Sequence, residues 1–213
     1  MMITDSCVYP RPLGDSSVRR MALVAHEFGF DSLVAVNTPP CKHFGVTVET
    51  GIVIGEMPAP EVTREVKRSR ETGAIVSVMA GDNGRNRMVL GIRGVDILCG
   101  IHKTDRHAFD HVTARMAADN GVAVDISLEP VIHGRGMSRQ KALDRYHDIL
   151  LLHRRFEFPL VLSTHARSVL DMHPVREFSG LASVIGLDLS DVEQALSHTG
   201  QMRSLHSAVR VVT

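Results

Sequence analysis

AIVSVMAGDNGRNRMVLGIRGVDILCG, residues 74–100, sets two apolar runs on either side of a polar turn. AIVSVMA (74–80) and VDILCG (95–100) have the length and β-branched content of buried strands. Between them GDNGRNR (81–87) gathers glycine, asparagine and arginine. Asp82 is placed to cap a following helix, Gly81 and Gly84 to shape the turn, and Asn86 to fix it. Arg85 and Arg87 are then expected to face outward. The turn thus reads as a strand end able to grip phosphate.

The same unit recurs along the chain. Further strand-like runs are ITDSCVY (3–9), SLVAVN (32–37), VTVETGIVIG (46–55), VAVDISL (122–128) and LVLSTHA (160–166). Helical periodicity separates most of them. Val18, Met21, Ala22, Ala25 and Phe28 share one face of 16–28, Phe109, Val112 and Met116 one face of 107–119, and Leu143, Tyr146, Ile149 and Leu150 one face of 138–155. Gly29, Gly73, Gly94 and Gly121 end helical patterns just before strands, where a left-handed residue is wanted. Ser190 and Glu193 have capping-box spacing, so a helix is expected to start near Asp191. Strand and helix in alternation imply a parallel sheet with helical crossovers. The expected fold is α/β: a compact TIM-barrel-like (β/α) barrel with seven clear strands and an uncertain eighth, SVIGLDL (183–189). An open doubly wound sheet is the alternative. With no linker or low-complexity segment, residues 1–213 form one expected domain.

Composition narrows the function classes. With 24 basic and 24 acidic residues the formal net charge is zero, so any polyanion must be held by local patches. Aromatic residues are 4% of the chain and tryptophan is absent, which argues for an aliphatic core and against a platform that stacks single-stranded bases. Three scattered cysteines (Cys7, Cys41, Cys99) read as reduced thiols. No signal-peptide pattern opens the sequence, and no apolar run approaches the ~20 residues of a membrane span. A cytoplasmic protein with no membrane contact is expected.

In a barrel of this kind function sits in the loops after the strands. Those positions hold Asn37, Thr38, Gly81 to Arg87, His102, Lys103, Glu129, His133, Arg135 and His165 to Ser168. His102 and His165 tempt toward a metal site, but no His-x-His occurs and the first strand offers Asp5 and Cys7 where a metallohydrolase would use histidines. His107 and His111 lack the glutamate of a metalloprotease helix and read as a solvated helix face. HGRG (133–136) lacks a P-loop lysine and could serve phosphate through Arg135. Asp125 and Glu129 carry no distinctive spacing; Asp125 reads as barrel interior. Charge is more informative. Residues 64–93 hold seven basic side chains against three acidic, and residues 135–155 hold six against two. Arginine predominates, and its planar fork suits phosphate oxygens.

Taken with FGFDSLVAVN (28–37), FDHVTARMAADNGVAVDISL (109–128) and FPLVLSTHARSVLDMHPVRE (158–177), the strand followed by Gly81-Asp82 and Asn86-Arg87 resembles the archaeal ribonuclease P protein component 3 family over nearly the whole chain. The ungapped 109–128 block is the most diagnostic part. The resemblance implies a noncatalytic protein subunit of the ribonucleoprotein that removes the 5′ leader from precursor tRNA. In that family the RNA performs the hydrolysis with magnesium, and the protein works with ribonuclease P protein component 2 and the other protein subunits. The expected protein therefore binds no metal or cofactor of its own. The fold is related to PHP-type phosphoesterases, and a metal-dependent phosphoesterase is the alternative reading. A scaffold that binds only protein is a third. At LSTHA the sequence departs from the family, which places a small residue where His165 stands. Arg68, Arg85, Arg87, Arg135 and Arg176 are the residues expected to contact RNA, with no catalytic residue.

Overall fold

The computed structural model of the protein describes residues 2–209. Its strands are β1 (Thr4–Val8), β2 (Ser32–Val36), β3 (Cys41–His43), β4 (Val46–Ile54), β5 (Ile75–Met79), β6 (Ile97–Cys99), β7 (Ala123–Ser127) and β8 (Leu160–Ser163). The seven runs read as strands are the seven parallel strands of a barrel, ordered β1-β2-β4-β5-β6-β7-β8. A parallel bridge from Val8 to Ala166 joins the last strand's end to the first. β1, β2 and β7 are buried at every position, as expected of parallel strands covered on both faces.

The helices are α1 (Val18–Phe28), α2 (Ala59–Glu71), α3 (Asn83–Leu90), α4 (His111–Asn120), α5 (Glu129–Ile132), α6 (Gly136–Phe156), α7 (Val175–Ser183) and α8 (Leu189–Val209). Neighbouring residues of one strand serve two cores. Val76, Leu98, Val124 and Leu162 join the large shell beneath the helices. Ile75, Ile97, Ala123 and Val161 meet Val34 in a second cluster, the inside of the barrel. No described helix is long and apolar enough to cross a membrane.

Two departures from the sequence reading matter. The 183–189 segment is not a strand: Ser183 ends α7, Gly186 is left-handed at φ 100°, and Asp188 caps α8. The cap also differs from the expected Ser190–Glu193 box. Asp188 Oδ1 accepts the Asp191 N–H (2.9 Å), while Asp191 Oδ2 accepts the Asp188 N–H (3.1 Å). α8 packs on both β1 and β8, bonds Ser6 through Thr199 (2.8 Å), and sends Met202 into the inner cluster. A helix covers the seam where an eighth strand was sought. The second departure is β3, which runs antiparallel to β4 through the two-residue turn Phe44-Gly45, both at positive φ.

Candidate functional site

The loops after the parallel strands converge on one end of the barrel. Its floor is a buried polar layer. Asp125 on β7 accepts from Ser163 Oγ (2.6 Å), and its other oxygen pairs with His165 Nε2 (2.8 Å). Asp5 on β1 accepts from the Thr164 N–H (3.0 Å) and hydroxyl (2.5 Å), tying the first strand to the end of the last. Asp125 is thus barrel interior, as its place in a strand suggested. Burial pushes the Asp5 carboxyl up to about 6. Burial opposes charge on His165, yet Cys7 and Asp125 hold its pKa well above the usual imidazole range.

His102 behaves differently. Burial, aided by Lys103, drives its pKa down to about 4, so the ring is neutral near pH 7. Tyr146 Oη donates to Ser127 O (2.9 Å) and so presents a lone pair to His102 Nδ1–H at 2.9 Å. That contact fixes the tautomer and leaves Nε2 as an acceptor. His102 and His165 line the same cavity of about 280 Å³, one held by tyrosine and one by aspartate. Among the described residues no group of three or more His, Cys, Asp or Glu is arranged to hold a metal ion. Arg167, its guanidinium 4.4 Å above the Tyr9 ring and bonded to Leu13 O (2.9 Å), sets a fixed cation at the rim.

GDNGRNR is the cap and body of α3. Asp82 accepts the Arg85 N–H (2.7 Å), as expected of a capping residue. Asn86 is fully buried and fixes the turn: it exchanges hydrogen bonds with both backbone groups of Gly81 and donates to Ala108 O (2.8 Å). Arg85 is not outward-facing. Its guanidinium donates to Gly55 O (2.8 Å), Met57 O (2.9 Å) and Met79 O (3.4 Å), carbonyls at neighbouring strand ends. Those carbonyls lie where the chain leaves the sheet, and the arginine satisfies them. Arg87 is exposed and pairs with Asp110 (2.9 Å).

The remaining sequence candidates lie apart. Arg68 is exposed on α2, with a loose contact to Glu65 at 3.8 Å. Arg135 is exposed at the entry to α6, and Arg176 is exposed in the first turn of α7. Within the 64–93 cluster Arg70 forks onto Asp96 (3.1 and 3.2 Å), so that cluster is partly structural. His107 and His111 are exposed but do not share a helix, because Phe109 is extended and Asp110 caps α4 between them. Phe44, at the β3–β4 tip, is 42% exposed beside Arg19. Tyr9 and Tyr146, which position the mouth residues, had no signal in the sequence beyond periodicity.

From the mouth three adjoining cavities, of about 280, 420 and 740 Å³, share His102 and Lys103 and run outward to α6. The resulting trough is lined by Lys103, Arg106, Lys141, Arg145 and Arg167 together with the acids Asp105, Glu129, Asp144, Asp148 and Asp171. Its arginines and lysines are groups whose charge suits phosphate oxygens.

Known proteins resemble the chain over most of its length. Ribonuclease P protein component 3 of Methanothermobacter thermautotrophicus is 32% identical over 153 residues, covering 71% of this chain and 62% of that relative. The component 3 of Methanosarcina acetivorans is 30% identical over 202 residues, covering 91% of this chain and 84% of that relative. A chain of the cryo-EM structure of archaeal ribonuclease P with mature tRNA superposes with a TM-score of 0.79 at 16% identity, covering 96% of this chain and 92% of that one, a likeness of fold. The model of the family described as RNase P subunit p30 matches residues 2–210, and the chain, barrel and all, belongs to that family.

Proposed function

We propose that the chain is a protein subunit of an archaeal ribonuclease P ribonucleoprotein, where it supports the catalytic RNA in removing the 5′ leader from precursor tRNA. The observation that carries this reading is the family match over residues 2–210. The metal-dependent phosphoesterase alternative is not favoured by that match. In this reading the RNA does the hydrolysis with magnesium, and the protein contributes charge and shape in the cytoplasm. Component 2 and the other protein subunits are its protein partners, and precursor tRNA is the substrate of the assembly.

RNA phosphates condense counterions, and each arginine or lysine contact releases some of them. Structured RNA is read mostly through shape and backbone. Exposed Arg68, Arg87, Arg135 and Arg176 suit that role, whereas the Arg85 guanidinium is committed to three carbonyls. Co-purification of the tagged chain from its native cells tests the assignment. A large structured RNA and a small partner protein should come down together, and the RNA should be lost as salt rises. Recovery without any RNA, at low salt, would reduce the chain to a protein-binding scaffold.

A further inference from the structure

A cavity of about 740 Å³ lies between α6 and the two 3-10 turns at 101–103 and 106–108. Arg145 lines it and is only 4% exposed. Its Nε, Nη1 and Nη2 are all buried and have no hydrogen-bond partner. A guanidinium stripped of water and given no acceptor is among the costliest groups a fold can carry. The nearby acids Asp148 and Asp105 attract its charge but do not hydrogen-bond it. Asp148 is taken by Arg106 (3.1 Å), Asp144 by Gln140 Nε2 (2.7 Å), and Asp105 accepts the His107 N–H (3.1 Å). Burial accordingly lowers the Arg145 pKa.

Lys141 stands one helical turn before Arg145, on the same side of α6. Lys103 faces them from the opposite wall and continues the trough to the barrel mouth. Neither lysine has an ion pair among the described residues. Two uncommitted ammonium groups therefore flank a guanidinium that lacks any acceptor. An oxoanion with several acceptor oxygens is the ligand that would satisfy all three, since arginine binds phosphate by two parallel hydrogen bonds and lysine by point charge.

We propose that Arg145, Lys141 and Lys103 form a seat for a phosphate group, occupied in the assembled particle by one backbone phosphate of the RNA strand that follows the trough. The RNA part of this inference rests on the proposed function. The phosphate part does not, so the two can fail separately.

The test uses the full chain and three variants: Arg145→Met, Lys141→Glu and Lys103→Ala. Thermal unfolding is followed in sodium phosphate and in sodium chloride of equal ionic strength. Phosphate should raise the parent's midpoint, and Arg145→Met should lose that response while being no less stable than the parent in chloride. Lys141→Glu, on the exposed rim, should lose the response without disturbing the fold. Equal phosphate responses in all chains, or an Arg145→Met that unfolds in chloride because Asp148 in fact pairs with Arg145, would overturn the seat.

The second arm measures binding to ribonuclease P RNA in the presence of component 2. Lys141→Glu should weaken binding about tenfold or more and flatten its salt dependence. If the parent binds this RNA and Lys141→Glu binds it equally, the seat is not an RNA contact. If Lys141→Glu loses component 2 instead, the trough takes an acidic protein face and the inference fails. A parent chain that binds no RNA would sink the proposed function, leaving the phosphate arm to stand on its own result.

Discussion

Asp5 and His102 are opposite cases of ionisable groups taken out of water. Burial raises Asp5 to about 6 from 3.8, so the folded chain holds an extra proton between those values. Its contribution to stability is full below that window and is lost as pH rises through it. Burial lowers His102 from 6.5 to about 4, so the unfolded chain holds the extra proton there, and stability falls as pH drops below 6.5. In the parent the two slopes oppose each other. Asp5→Asn keeps an acceptor for the Thr164 N–H and removes the buried charge. It should be more stable than the parent at pH 7 by up to roughly 3 kcal/mol, about two pK units at ~1.4 kcal/mol each. That margin should vanish by pH 4. Urea unfolding of both chains across this range checks it, and a margin independent of pH would contradict the account.

At the scale of elements, Asp110 shows how one residue joins two of them. It caps α4 by accepting from Val112 N (3.0 Å) and Thr113 N (3.0 Å), and it pairs with Arg87 of α3. Burial opposes its charge, but those N–H groups and the guanidinium bring its pKa down to about 2. Asp110→Ala should cost about 1–2 kcal/mol in urea unfolding. Asp110→Asn should cost clearly less, because the cap survives and a half-exposed ion pair is worth little. Equal costs would mean that the ion pair and not the cap is what matters. All seven barrel strands were legible, because a strand buried on both faces must be an apolar, β-branched run. β3 was not, since Cys41-Lys42-His43 carries no such signal and its turn uses Phe44 where asparagine or glycine is usual. α8 was legible as a helix, but its place over the seam depends on contacts from Ser6 and Thr199, far apart in sequence. The site was legible as a set of strand-end residues. Which arginines face solvent was not: Arg85 and Arg145 are turned inward by carbonyls and packing that no local pattern records.

For the whole molecule, zero net charge means that any positive potential is local. The exposed arginines of α2, α6 and α7 supply positive potential, and along the trough from the barrel mouth to α6 Lys103, Arg106, Lys141, Arg145 and Arg167 stand beside Asp105, Glu129, Asp144, Asp148 and Asp171. In the proposed role such a subunit would lower repulsion between RNA phosphates, so that the RNA reaches its active form with fewer divalent ions. The most direct test is reconstitution of precursor-tRNA cleavage from cognate ribonuclease P RNA and component 2, with and without this chain, across a magnesium titration. Adding the chain should restore leader removal at lower magnesium, and digestion of the RNA should abolish it. Unchanged rate and magnesium dependence, or cleavage that survives loss of the RNA, would contradict the account.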